Sequence, residues 1–185
     1  SLWQLGTPAY GTTTGTHSGP NAFDINLTTA YDNNANCELI SPVFDFTSAV
    51  NAKLSFWHNY NCEGFWDGTR VEYTTDGITW NVLGTMNDPR GVNWYNYAVL
   101  NSSGFPGWAD NSNGWIKSTY LLDTLNNVAG PVQFKFVFTS DASFVYDGYS
   151  IDDFQITLPQ PQDAEMTAIT APDMSSCLPK GNVPL

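Results

Sequence analysis

The sequence has 185 residues, which is enough for one domain with a sizeable core and a fragment of a second. Six Lys and Arg residues oppose eighteen Asp and Glu residues, a formal net charge of −12. Nucleic acid and anionic membranes are therefore poor partners, because phosphate groups are bound through Lys and Arg. The sequence contains no apolar run of membrane length and no signal peptide, so we expect a mature, soluble segment without membrane insertion.

Alternation of apolar and polar residues dominates the chain and predicts strands. In 131–139, Val132, Phe134, Phe136 and Phe138 share one face, and in 52–62 Leu54, Phe56, His58 and Tyr60 do the same. No amphipathic helix of three turns is apparent. In chain order the predicted strands cover 21–28, 38–46, 52–62, 70–75, 78–84, 114–123, 131–141 and 150–158. Short strands divided by Gly, Asn and Pro turns predict an all-β fold, an antiparallel two-sheet jelly-roll β-sandwich.

The composition changes after Leu158, which predicts the end of this domain. Residues 1–158 form the sandwich, residues 159–163 (PQPQD) are a Pro/Gln linker, and residues 164–185 resemble the start of an Ig-like β domain. Some twenty residues cannot close a second core, so we interpret this tail as truncated.

Two cysteines of the first domain, Cys37 and Cys62, are a disulfide candidate. If 38–44 and 53–59 form a hairpin around Thr47–Asn51, the register opposes the two cysteines. In the alternative, the strands lie in different sheets and both thiols are buried without this bond. Only 13% of residues are charged and the surface must rely on Asn, Ser, Thr and Gly, as is common in secreted proteins, where disulfides persist.

Three Asp-Gly pairs carry different predictions. Asp76-Gly77 separates two alternating runs and suits a type I′ hairpin turn. The other two pairs lie near further acids, and Phe154 and Ile156 place Asp152 on the core side of the last strand. A core-facing carboxylate needs donors or a cation, and calcium accepts carboxylate oxygens. The candidate calcium ligands are Glu63, Asp67, Asp147, Asp152 and Asp153. The alternative is Asx-turns and caps that bind local backbone.

Several motifs occur in an order that resembles a known family. They are WQLGTP, ELISPVFDF, LSFWHNYNCEGFWDG, VEYTTDGITWNVLG, NWYN, GW and DGYSIDDFQI, within residues 1–158. Together they look like the MAM-like, concanavalin-like jelly-roll modules of secreted multidomain Bacteroidetes proteins, which are exported by type IX secretion.

The resemblance implies an accessory module on the cell surface or in the secreted fraction, attached to further domains and often containing structural calcium. The acidic positions of the family correspond here to Glu63, Asp67, Asp147 and Asp152. Cys37 and Cys62 are a departure from the family, and most of the segment that usually precedes the first Trp is missing.

Catalysis by this module is not expected. A hydrolase needs an activated nucleophile or a placed acid/base pair. His17 lies in a flexible-looking Gly/Thr segment, and His58 shares a face with Phe56 and Tyr60, which indicates a core histidine. The E-x-D-x-x-E spacing of jelly-roll glucanases is absent.

Binding is the better functional hypothesis. Trp94, Tyr95, Trp108 and Trp115 lie among Asn, Ser and Gly in 91–120, a composition that suits stacking on sugars. Alternatively these rings anchor the loop structurally. If the rings are exposed, the partner is a polysaccharide or glycan, as for a carbohydrate-binding module attached to a polysaccharide-degrading enzyme. Otherwise it is a surface protein, as for an adhesion module or an accessory domain of a secreted peptidase.

Overall fold

A computed structural model describes residues 2–159. The predicted linker beyond Pro159, the predicted Ig-like segment 164–185 and Cys177 lie outside the described residues. Within them, no helix has the length and hydropathy of a membrane span. The described chain has one short 3₁₀ helix, Asp123–Leu125, and eleven strands: β1 Trp3–Gly6, β2 Ala22–Ile25, β3 Asn36–Ile40, β4 Phe44–Asp45, β5 Lys53–Asn61, β6 Gly68–Thr74, β7 Asn81–Val82, β8 Gly91–Val92, β9 Ile116–Leu121, β10 Pro131–Thr139 and β11 Gly148–Thr157.

The strands form two antiparallel sheets, which confirms the predicted β-sandwich. One sheet has six strands in the order β1-β2-β11-β5-β9-β8. The other has the order β3-β10-β6-β7, with β4 also paired to β10. The chain changes sheet six times between β2 and β11, so most neighbours in a sheet are distant in sequence.

The core lies between the sheets and is mostly aromatic. Val132, Phe134 and Phe138 of β10 are fully buried, as their alternation predicts. From the opposite sheet, the ring of Phe56 approaches that of Phe136 edge-to-face, with 4.8 Å between the ring centres. Pairs of this geometry add to the stabilisation that burial itself provides.

The hairpin expected around Thr47–Asn51 does not form, so the candidate disulfide is absent and the alternative, strands in different sheets with both thiols buried, is what the structure has. β3 and β4 pair with β10, whereas β5 pairs with β9 and β11 in the other sheet. The connection crosses the end of the sandwich because its apolar residues Phe46 and Ala49 are buried in the core. Cys37 and Cys62 are both buried and no disulfide joins them.

The turn at Asp76-Gly77 is confirmed, but its geometry is not type I′. A type I′ turn requires positive φ at both central residues, and of this pair only Gly77 has one, at 73°. Instead the Asp76 carboxylate accepts the backbone N–H groups of Ile78 and Thr79 at 2.8 and 2.7 Å. The loop between β6 and β7 is therefore held by a side chain.

Replacing Phe56 with Ala should lower the free energy of unfolding by about 3–5 kcal/mol, since it removes a ring that contacts the opposite sheet. Urea unfolding measures the change. Ile78→Ala is the control, because Ile78 is 83% exposed and its replacement should change stability by less than about 0.5 kcal/mol. Similar losses in both variants would contradict the central position of Phe56.

Candidate functional site

Three acidic side chains meet at one end of the sandwich. Glu63 and Asp67 lie between β5 and β6, and Asp141 lies between β10 and β11. The antiparallel pairing of Thr139 with Gly68 brings these two loops together. One ligand atom from each of the three carboxylates lies within 4.8 Å of the others. The structure thus unites two of the predicted calcium ligands and adds Asp141, which the sequence analysis missed.

Asp67 is the buried member of this acidic cluster. Its Oδ1 accepts the Asp141 N–H at 2.7 Å and its Oδ2 accepts the Tyr31 hydroxyl at 2.9 Å. Burial raises the pKa of Asp67 to about 6; the two hydrogen bonds oppose this, and the charges of Asp141 and Glu63 add to it. Asp67 is therefore held in one position, and each oxygen keeps a lone pair for a further partner.

Glu63 carries the unsatisfied atom of the cluster. Its N–H donates to the Tyr31 hydroxyl at 3.1 Å, but its buried Oε2 has no hydrogen-bond partner. Burial first, and then the charge of Asp141, raises the pKa of Glu63. Because an unpaired carboxylate oxygen is costly out of water, this atom is where a cation would be most stabilising.

Asp147, also predicted as a calcium ligand, is placed elsewhere. It lies under the segment 7–21, which crosses the outer face of the six-stranded sheet between β1 and β2. Asp147 accepts the N–H and the hydroxyl of Thr12 and the side-chain amide of Asn61. Burial would raise the pKa of Asp147, but these hydrogen bonds outweigh it and lower the pKa.

Asp152 and Asp153 hold the same segment further along. Asp152 Oδ2 accepts the N–H groups of His17 and Ser18 at 3.0 and 2.9 Å. Asp153 receives the Ser18 hydroxyl at 2.6 Å and lies 2.7 Å from His17 Nδ1. These carboxylates therefore anchor a loop that is distant in sequence, rather than the local backbone of the alternative given above, and neither belongs to the acidic cluster.

The placement of Asp152 on the core side of its strand is wrong. A β-bulge lies between Asp152 and Gln155 and adds a residue to the alternation. Ile151 faces the core, and Asp152 is paired with Trp57 on the outer face. A bulge has no reliable signature in a single sequence. Regular alternation from Phe154 towards the N-terminus therefore placed Asp152 on the core side, whereas it lies on the outer face.

Three of the four predicted ligand-binding aromatics are core residues. Trp94, Tyr95 and Trp108 are at most 5% exposed. The indole N–H groups of Trp94 and Trp108 donate to the carbonyls of Leu83 and Asn93, both at 2.9 Å. The predicted sugar platform is wrong for these residues because the loop 93–115 folds its rings over the core, which is the structural alternative.

Trp115 is the exception, since it is only partly buried on the outer face of the six-stranded sheet. The ring of His17 stacks on that of Trp57 at 3.8 Å and 13°, and lies 6.1 Å from that of Trp115. His17 thus covers a face of the Trp57 ring beside Trp115, so a ligand could not stack on that face.

Exposed aromatic residues lie in the same loops as the acidic cluster, among them Phe65, Trp66 and Phe144, and the sequence analysis did not identify them. Trp66 is the only exposed residue among the seven Trp, all of which the structure describes. The sequence offered one signal, since two pairs of consecutive apolar residues fit no alternation: Phe65-Trp66 and Phe144-Val145. These pairs are shorter than the exposed runs of about three to four apolar residues that indicate a functional segment, so the signal was weak.

His58 is a core histidine, as predicted. It is fully buried, with Nδ1 2.5 Å from the Tyr149 hydroxyl and Nε2 2.8 Å from Ser118 Oγ. Burial lowers the pKa of His58 to about 3. The imidazole is therefore neutral at pH 7 and has no access to a substrate.

Comparison with known proteins gives only distant similarities. No protein family and no curated protein matches the sequence. The carbohydrate-binding module TmCBM61, solved with β-1,4-galactotriose, is 13% identical with a TM-score of 0.43, over 80% of this chain and 76% of that one. The K2 adhesin domain of Lys-gingipain is 22% identical with a TM-score of 0.49, over 85% and 83%. The K3 adhesin domain from Porphyromonas gingivalis W83 is 14% identical with a TM-score of 0.46, over 84% of each chain.

Asp24 of β2 is a further buried carboxyl group, and it should make the stability of the protein depend on pH. Asp24 is 2% exposed and accepts the Ser150 hydroxyl at 2.7 Å. Burial raises its pKa from 3.8 to about 7, opposed by the hydrogen bonds of Ser150 and Ile25 and assisted by the charge of Asp147. Since the folded protein holds this proton more tightly, the stabilisation is complete below pH 3.8 and is lost as the pH rises through 7.

Asp24→Asn should therefore gain stability relative to the wild type as the pH rises from about 4 to 7, by up to about 1.4 kcal/mol per pH unit. Urea unfolding across this range measures the difference. His58 acts in the opposite direction, because its lowered pKa removes stability as the pH falls from 6.5 towards 3, but it is common to both proteins and cancels. A difference that does not vary with pH would contradict a protonated Asp24.

Proposed function

We propose that this chain is a non-catalytic binding module whose loop end is stabilised by calcium. The observation that carries the proposal is the acidic cluster of Glu63, Asp67 and Asp141, with a buried oxygen of Glu63 that has no partner. The same loops expose Trp66 and Phe144 to solvent. An end that combines fixed carboxylates with exposed aromatic rings is suited to binding.

The three carboxylates fit calcium by their chemistry. All three offer oxygen atoms, which hard cations prefer, and calcium accepts six to eight of them at variable geometry. Bound calcium would offset most of the negative charge of the three carboxylates and fix the loops of β5–β6 and β10–β11 to each other. These loops are already joined, because the Tyr31 hydroxyl contacts both the Asp67 carboxylate and the carbonyl of Phe144, and the Asp141 N–H donates to Asp67.

Two features support a role without catalysis. His58 is buried and neutral, and His17 lies between the Trp57 ring and the Asp153 carboxylate. Each imidazole is engaged in holding the structure, whereas a general base must reach the proton that it removes.

The wider setting belongs to the same proposal. The motif order supports a MAM-like module of a secreted or cell-surface protein with further domains, exported by type IX secretion. A low content of charged residues, 13%, agrees with an extracellular surface. Glycan binding is the second candidate, and the exposed indole of Trp66 favours it, since aromatic faces stack on sugars.

Calcium should raise the melting temperature, because a ligand that binds only the folded state stabilises it by about 2.7 kcal/mol at 100 times its Kd. Thermal unfolding with calcium chloride and with EDTA measures the shift. The shift should disappear in Glu63→Gln and Asp141→Asn, which remove one charged ligand each.

Asp147→Asn is the matched control for the calcium response. It should lower stability by weakening the acceptor for Thr12 and Asn61 and still keep the full response to calcium. An unchanged melt in EDTA, or loss of the response in Asp147→Asn alone, would rule out the proposed site.

A further inference from the structure

Exposed aromatic side chains are concentrated at the end of the sandwich that holds the acidic cluster. We define the aromatic end surface as Phe65, Trp66, Phe105, Phe144 and Tyr146, which are between 42% and 70% exposed. Large apolar patches are uncommon on soluble monomers and usually mark interaction sites.

Three loops are joined to form this surface. Asn101 and Ser102 donate backbone N–H groups to the carbonyls of Phe65 and Trp66 at 3.0 and 3.1 Å. Ser102 Oγ also lies 2.9 Å from Thr139 Oγ1, at the end of β10. The surface therefore sits on a hydrogen-bonded frame, which suits a preorganised binding site.

Two of its rings are displayed at a conformational cost. Phe65 and Phe144 have φ angles of 69° and 45°, in the left-handed region that bulky residues avoid. The Tyr31 hydroxyl contacts the carbonyl of Phe144 at 3.4 Å. The backbone N–H of Asp67 donates to the backbone carbonyl of Glu63, which closes a turn that contains Phe65. Strain of this kind is maintained at functional sites.

The arrangement of the rings favours a protein over a polysaccharide. The rings of Phe65 and Trp66 are 84° apart at 6.0 Å, and those of Phe65 and Tyr97 are 56° apart at 6.2 Å. A sugar chain stacks best on rings that share a plane. Tilted rings form a corner that accepts protein side chains, and protein interfaces are enriched in such residues.

Negative charge borders this surface. Glu63 and Asp141 lie within the same loops, and the Asp110 carboxylate accepts the hydroxyl of Tyr97 at 2.5 Å. The nearby cation, Arg70, is bound to Glu72 at 2.7 Å beneath the ring of Phe105. A partner with Lys or Arg beside its apolar residues would be complementary.

Building on the proposed binding function, we infer that the aromatic end surface docks an apolar segment flanked by Arg or Lys on another protein. Apolar side chains of this segment fill the corner between the Phe65 and Trp66 rings. Its basic residues face the bordering carboxylates, which sets the orientation.

The test uses the full chain and an array of synthetic peptides of about 12 residues. One set combines apolar residues with Arg and Lys, and a matched set replaces each Arg and Lys with Glu. The basic set should bind selectively, and more weakly when NaCl rises from about 50 to about 500 mM, since salt screens exposed charges.

Two variants and one control locate the site. Trp66→Ser should weaken binding about tenfold or more, as expected for a central aromatic contact. Phe144→Asn removes an exposed ring and inserts a residue that tolerates left-handed φ, so it should weaken binding without lowering the melting temperature. Ile78→Asn, at an exposed apolar position outside this surface, should bind as the wild type does.

Equal binding of both peptide sets, no binding, or full binding by Trp66→Ser and Phe144→Asn would overturn the proposal. So would Trp66-dependent binding of cellulose, xylan or galactan, tested in parallel, since that would identify a glycan site. The calcium response is read from thermal unfolding, so a failure of the calcium site and a failure of peptide docking are distinguished.

Discussion

The burial of Phe56 between the sheets is the contact on which most of the structure depends. Its ring meets Phe136 across the sandwich, and Trp94 and Trp108 from the loop 93–115 pack against it edge-to-face. One residue of β5 thus contacts both the opposite sheet and the Trp-containing loop that covers the core. His58, next along the same face, is neutral because this environment excludes water.

The carboxylates of this acidic protein are distinguished by the donors that reach them. Asp147 and Asp152 receive N–H groups from the segment 7–21, and so their charge is used to fix a loop on the outer face. In the acidic cluster the donors are fewer, and Glu63 Oε2 receives none. The same residue type therefore serves as a structural acceptor at one place and as a candidate cation ligand at another.

The Trp residues likewise include buried structural rings and one exposed ring. Trp94 and Trp108 have carbonyl partners for their indole N–H groups and no room for a ligand. Trp66 lies in a loop that ends in the buried Asp67, so the loop is anchored while the ring stays exposed. A fixed backbone with exposed rings gives binding area at little further loss of conformational entropy.

The sequence by itself determined most of the long strands, the faces that β5 and β10 bury and the core position of His58, because alternation is a local property of the backbone. It failed at Asp152, where a bulge interrupts the alternation. The β-sandwich and the inward row of Phe134, Phe136 and Phe138 follow from the alternation. Only the tertiary structure decided which strands pair, and hence that Cys37 lies in one sheet and Cys62 directly after a strand of the other. It also decided that Asp141 meets Asp67 across a separation of 74 residues, and which Trp stays exposed. Contacts between distant segments depend on how the sheets pack, and no short stretch of sequence encodes that packing.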